Sequence, residues 1–127
     1  MSEIKVDTLT GKTTANDITV TVGATATMSL EQGLAKCWMN LTGTGTIVVN
    51  DSLNVTSCTD GGTGRYKPQY TNSFSSVNYT PQGIDDNYGV GWANAYTTGE
   101  VQNVRGNNSF SPLDVGIFSF SAHGDLA

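Results

Sequence analysis

Residues 30–59 read LEQGLAKCWMNLTGTGTIVVNDSLNVTSCT, and the changes of pattern inside this stretch decide the fold class. Ser29, Leu30, Glu31 and Gln32 have capping-box spacing, with a hydroxyl followed three residues later by a side-chain amide. A helical turn or two is expected from Leu30 toward Ala35, and Gly33 limits it. Lys36 to Leu41 reads as strand instead. Thr42-Gly43-Thr44-Gly45-Thr46 lacks the Gly-Lys-Ser/Thr ending of a phosphate loop and no helical pattern follows it, so it reads as a turn. Ile47 to Asn50 and Leu53 to Ser57 then form short strands.

Downstream, Asp60-Gly61-Gly62-Thr63-Gly64 is a glycine-driven reversal that fits a hairpin loop. The chain returns through Tyr66 to Thr71, with Tyr66, Pro68 and Tyr70 on one face. Pro68 has no N–H, which places this strand at a sheet edge or a bulge. Ser75 to Asn87 is polar and loop-like, Tyr88 to Tyr96 reads as a strand with close backbone packing, and Thr97 to Pro112 is mostly loop. Val115 to Ala122 carries Ile117, Phe118 and Phe120 on both faces, as a strand does that is central or at an interface.

Upstream, Gly23 to Thr27 reads as a linker. Asp17 to Val22 alternates Ile18, Val20 and Val22 with Thr19 and Thr21, and Glu3 to Leu9 offers Ile4 and Val6 against Lys5 and Asp7. Both are period-two patterns of short strands. Two such strands bury no core by themselves, so residues 1–28 are expected to be a stem or oligomerisation arm, with Ile4, Val6, Ile18, Val20 and Val22 near an axis shared by copies. Residues 29–127 are then the β-rich knob. The fold class is all-β, a short β stem followed by a β-sandwich-like knob.

Composition agrees with strands and turns. Charged residues make up 13%, against about 25% in ordinary domains, and Thr, Ser, Asn and Gly fill the gap. A hydrophobic fraction of 37% is thin for a lone chain, and self-association supplies the burial that one copy lacks. The net charge of −5 and six scattered basic residues exclude a phosphate-tracking surface, so no nucleic-acid partner is expected. No apolar run has signal-peptide or membrane-spanning length, which implies cytosolic synthesis without membrane insertion. Cys37 and Cys58 are expected to stay thiols packed among apolar neighbours.

Five segments carry a resemblance: SEIKVDTLTGKTTANDITV (residues 2–20), SLEQGLAKCWMNLTGTGTI (29–47), NDSLNVTSCTDGGTG (50–64), TNSFSSVNY (71–79) and AHGDLA (122–127). In that order they resemble modules of tail-fibre and related structural proteins of marine and cyanobacterial bacteriophages. Cys37 and Arg65-Tyr66-Lys67-Pro68 depart from the pattern of that family. The resemblance implies an intertwined homotrimer in the virion, made in the cytoplasm of a bacterial host. Family leaders lie between shaft and terminal knob. Here the sequence begins at the leader, so the expectation is a knob with its own short stem, held through that stem by another virion protein. The implied role is a tail fibre or receptor-binding module for host attachment, and the alternative is a capsid decoration or head-fibre protein with an architectural role.

Residues 81–113 match no part of that pattern, and loops on a rigid β scaffold are a common place for binding. Tyr66, Tyr70, Tyr79, Tyr88, Trp92 and Tyr96 offer flat rings with polar tips that either fill a small β core, the favoured reading for Trp92, or stack on sugar. Tyr88, Trp92 and Tyr96, with Asp85 and Asp86 as hydroxyl acceptors, are the set that suits a host cell-surface glycan. Enzymatic readings are weak. His123 is the only histidine, Asp125 is too local to orient it, and no nucleophile elbow occurs. Asp85-Asp86 with Glu100 is a poor acid–base pair for glycan cleavage, because adjacent loop aspartates are ordinarily solvated. No calcium-loop or zinc spacing occurs, so neither metal nor cofactor is expected. The sequons at Asn40, Asn54, Asn78 and Asn107 are incidental in a protein made by bacteria.

Overall fold

Strict alternation recurs at Cys37/Met39/Leu41, Tyr66/Pro68/Tyr70 and Phe118/Phe120/Ala122, and each set turns one face of a strand into the interior. A computed structural model describes residues 3–11, 18–87, 90–107 and 109–127. In chain order its elements are β1 (Thr19–Val22), β2 (Ala26–Ser29), the single-turn helix α1 (Leu30–Gly33), β3 (Cys37–Thr42), β4 (Val48–Leu53) and β5 (Val55–Asp60). They continue with β6 (Arg65–Tyr70), β7 (Thr80–Asp85), β8 (Val90–Asn94), β9 (Gln102–Gly106) and β10 (Ile117–His123). Backbone contacts divide the chain into two compact units, residues 1–34 and residues 35–127.

In the first unit β1 and β2 form an antiparallel hairpin closed by Gly23 at φ 72°. The linker expected at residues 23–27 is therefore a turn and the start of a strand. Its small polar residues carry no alternation, yet β1 supplies a partner for their backbone. Ser29 caps α1, its hydroxyl accepting from Gln32 N–H at 3.4 Å. The strand expected over residues 3–9 does not form: residues 3–11 pair with no other strand among the described residues, and Ile4 and Val6 are 87% and 61% exposed. An alternating pattern without a partner strand cannot satisfy its backbone by itself.

The second unit is a sandwich-like pair of four-stranded sheets, ordered β4-β3-β10-β7 and β5-β6-β9-β8. All neighbouring strands in both sheets run antiparallel. The chain passes from the first sheet to the second at Asn54, the single residue between β4 and β5, with φ 55°. Asparagine tolerates this left-handed conformation better than most residues. Its side chain holds the corner by accepting from Asn72 N–H at 2.7 Å and donating to Asn72 O at 3.1 Å. The same residue looked incidental in the sequence.

Inward residues of β3 and β10 meet Tyr66 and Tyr70 of β6. Tyr66 stacks on Phe118 with ring centroids 5.2 Å apart, and Phe74 stacks on Tyr79 at 4.2 Å. Tyr66 also links the sheets through its hydroxyl, which accepts from Val115 N–H at 3.1 Å and donates to Gly43 O at 3.4 Å. The β5–β6 hairpin closes through the expected glycine loop. Gly64 is required there, because at φ 64° an added Cβ would also come within 2.6 Å of Leu113 N.

Four expectations for this unit change. β7 lies inside the supposed loop 75–87 and β9 inside the supposed loop 97–112. β6 is an interior strand, and Pro68 is tolerated because the β6–β9 ladder covers only Arg65 and Tyr66 before an isolated bridge at Gln69. β10 is central, as its apolar content implies, but it is two-faced: Phe118, Phe120 and Ala122 are buried, whereas Ile117 is exposed and Ser119 and Ser121 are half-buried.

Candidate functional site

The two edge strands β7 and β8 follow one another in the chain and lie on the same side of the sandwich. Their inward positions are small: Pro81 and Gly83 on β7, Gly91 and Ala93 on β8. Glycine in a strand interior commonly marks close approach of another group. Here that group is Arg105 of β9, whose guanidinium occupies the space a Cβ on Gly91 would need. At Gly83 a Cβ would come within 2.7 Å of Phe118 Cε2.

Arg105 is buried by this packing and its charge is met by Asp85 at the end of β7, with Nη2 and Nε both 2.5 Å from Oδ2. The two side chains are 9% and 1% exposed. Arg105 Nη1 also donates to Gly83 O at 3.4 Å, and the guanidinium carbon stands 5.7 Å from the Phe118 ring centre. The pair thus joins an edge strand of one sheet to an inner strand of the other. Beside it, Asn103 is 4% exposed and its Nδ2 meets no hydrogen-bond acceptor among the described residues. Asn103, Arg105, Trp92 and the small residues of β7 and β8 line a slot of about 80 Å³.

Of the residues singled out for glycan contact, Trp92 lines this slot beside Arg105, the partner of Asp85, whereas Tyr96 packs elsewhere. Tyr88 lies outside the described residues. Trp92 is 37% exposed on β8, tilted against Phe110 with ring centroids 6.3 Å apart. Tyr96, 40% exposed, packs instead on Tyr79 at 5.5 Å. Asp86 is exposed beside Gly116, whereas Asp85 is committed to Arg105 and presents no free carboxylate at the surface. Glu100, the third carboxylate, accepts from the Gln69 amide. Tyr66, Tyr70 and Tyr79 are interior. Of the arm residues, Ile4 and Val6 are exposed, Ile18 and Val20 are half-buried, and Val22 ends β1.

Sequence reading missed Asn103 and Arg105 altogether. The available signal was QNVRG between two loop-like stretches, where polar residues alternate with a single valine; that pattern suggests a surface, not an interior.

Both cysteines are free thiols, Cys37 buried and Cys58 half-buried. Burial pushes the Cys37 thiol up to about 12 against a smaller opposing backbone hydrogen bond. Burial likewise raises Cys58 to about 11, with a further contribution from Asp60. Neither is poised as a nucleophile at neutral pH. Among the described residues no three His, Cys, Asp or Glu side chains group as metal ligands, and no helix is long and apolar enough to cross a membrane.

Outside the slot, the outer face of the β4-β3-β10-β7 sheet carries large apolar side chains in cross-strand register. Trp38 stands between Leu53 and Ser121, Thr42 between Val48 and Ile117, and Ser119 beside Ile84. Trp38, Leu53, Val48, Ile117 and Ile84 are all exposed. A polar ladder runs between them, with Asn50 donating to Asn40 Oδ1 and Asn40 donating to Ser119 Oγ, each at 2.9 Å. No family model, curated protein or solved structure matches this chain.

Proposed function

We propose that this chain is a bacteriophage virion structural protein, a non-enzymatic tail-fibre or receptor-binding module that works as a homotrimer. Residues 1–28 are the stem held by other virion proteins and residues 29–127 the displayed knob. The observation that carries the reading is apolar surface without cover: five large apolar residues on one sheet face, and Ile4, Val6 and Leu9 on the arm. Large exposed apolar side chains gathered on one face, here in two groups parted by a polar ladder, mark association sites. The phage setting rests on the ordered segments at residues 2–20, 29–47, 50–64, 71–79 and 122–127.

Two of the three carboxylates considered from sequence, Asp85 and Glu100, are engaged with Arg105 and Gln69, which supports a non-catalytic role, while Asp86 is exposed. Three linked copies raise the effective concentration of each binding event, so weak single contacts suffice for attachment. Antibody-gold labelling of intact particles tests the location. Label at the tail is expected. Label spread over the head makes the protein a decoration or head-fibre protein, and unlabelled particles remove the virion role.

A further inference from the structure

The sandwich closes its β7–β8 edge with glycine, alanine and proline where side chains would ordinarily fill the interior, and the space left over is lined by donors. Asn103 Nδ2 is buried and has no acceptor among the described residues, an unmet group that costs about 1–3 kcal/mol if it stays so. Arg105 also lines the slot, and its Nη1 donates to Gly83 O over a long 3.4 Å. The slot therefore asks for an acceptor oxygen.

Charge and size narrow the ligand. Arg105 is already neutralised by Asp85, so a bound carboxylate or phosphate would leave a buried excess negative charge, which is costly without a second cation. Among the described residues Lys36 is the other buried cation, and it lies just before β3, whereas the slot is lined from β7, β8 and β9. A neutral acceptor is favoured. At about 80 Å³ the slot suits a group of a few heavy atoms. A carbonyl oxygen has two lone pairs for two donors, and a methyl beside it would meet Pro81 and Ala93.

The geometry points to a subsite for the acetamido group of an N-acetylated hexosamine, its carbonyl oxygen accepting from Asn103 Nδ2 and Arg105 and its methyl against Pro81 and Ala93. The inference deepens the receptor-binding reading and rests on it. It places recognition in a slot between β7 and β8 that Trp92 also lines.

The test is a titration of the full ¹⁵N-labelled chain with the methyl glycoside of N-acetylglucosamine, read by two-dimensional NMR, with the methyl glycoside of glucose alongside. The expected result is a saturable shift of the Asn103 side-chain amide pair with a dissociation constant in the millimolar range, and at least tenfold weaker binding in Asn103→Ala. Glucose should leave that amide unmoved. No saturable shift at Asn103, an equal response to glucose, or unchanged binding in a folded Asn103→Ala each overturns the inference, and the slot is then a water site. If Asn103→Ala does not fold, the position of the wild-type shifts decides alone. Failure here leaves gold labelling of the tail untouched, and absence of label on particles leaves this titration untouched, so the two readings fail separately.

Discussion

Burying the Arg105 guanidinium removes its hydration, and Asp85 is the group that makes the burial tolerable. Truncating one partner of such a pair leaves an uncompensated charge, at a cost of about 3–5 kcal/mol. Asp85→Ala should therefore lower stability by about that amount in a urea titration, with assembly followed in parallel. A loss under about 1 kcal/mol would mean that water reaches the pair. Cys37 gives a second test. Its raised value means that the folded state holds the thiol proton more tightly than the unfolded chain does. The associated stability is complete below pH 9 and is lost as pH rises toward about 12. Urea midpoints should be flat with respect to this group up to pH 9 and fall above it. At pH 8, alkylation of Cys37 in the folded protein should be slower than in the unfolded chain by on the order of 10³-fold, from the smaller thiolate fraction. Rapid native labelling would contradict its placement.

Elements were legible in the sequence wherever their inward faces were apolar. Cys37/Met39/Leu41 and Phe118/Phe120/Ala122 alternate and are strands, and the glycine loop at residues 60–64 joins β5 to β6. β7 and β9 were not legible, because TPQGID and QNVRG point proline, glycine, aspartate, asparagine and arginine inward. Hydrophobic periodicity cannot register a wall made of small residues and an ion pair. The slot was hidden for the same reason, and only its general location within residues 81–113 was anticipated. The arm failed in the opposite direction: Ile4 and Val6 alternate correctly, but alternation does not create a partner strand. Tyr66 shows how a single residue fastens one element to others, since its hydroxyl bridges Val115 N–H and Gly43 O while its ring stacks on Phe118. Tyr66→Phe keeps the ring and strands a buried N–H, so a loss of about 1–3 kcal/mol is expected in chemical denaturation. A neutral result would show that Val115 finds another acceptor.

For the molecule as a whole, the thin hydrophobic fraction and the exposed apolar residues point the same way: one copy does not cover its own surface. Self-association is the claim on which the stem, the avidity of attachment and the display of the β7–β8 edge all depend. Native mass spectrometry of the intact chain and of Val20→Asp tests it most directly. The account predicts a species of three times the 13.4 kDa chain mass for the wild type and a lower assembly state for the variant. A wild-type protein that remains a single 13.4 kDa chain at micromolar concentration would contradict it, and an unchanged trimer in Val20→Asp would move the interface off the arm.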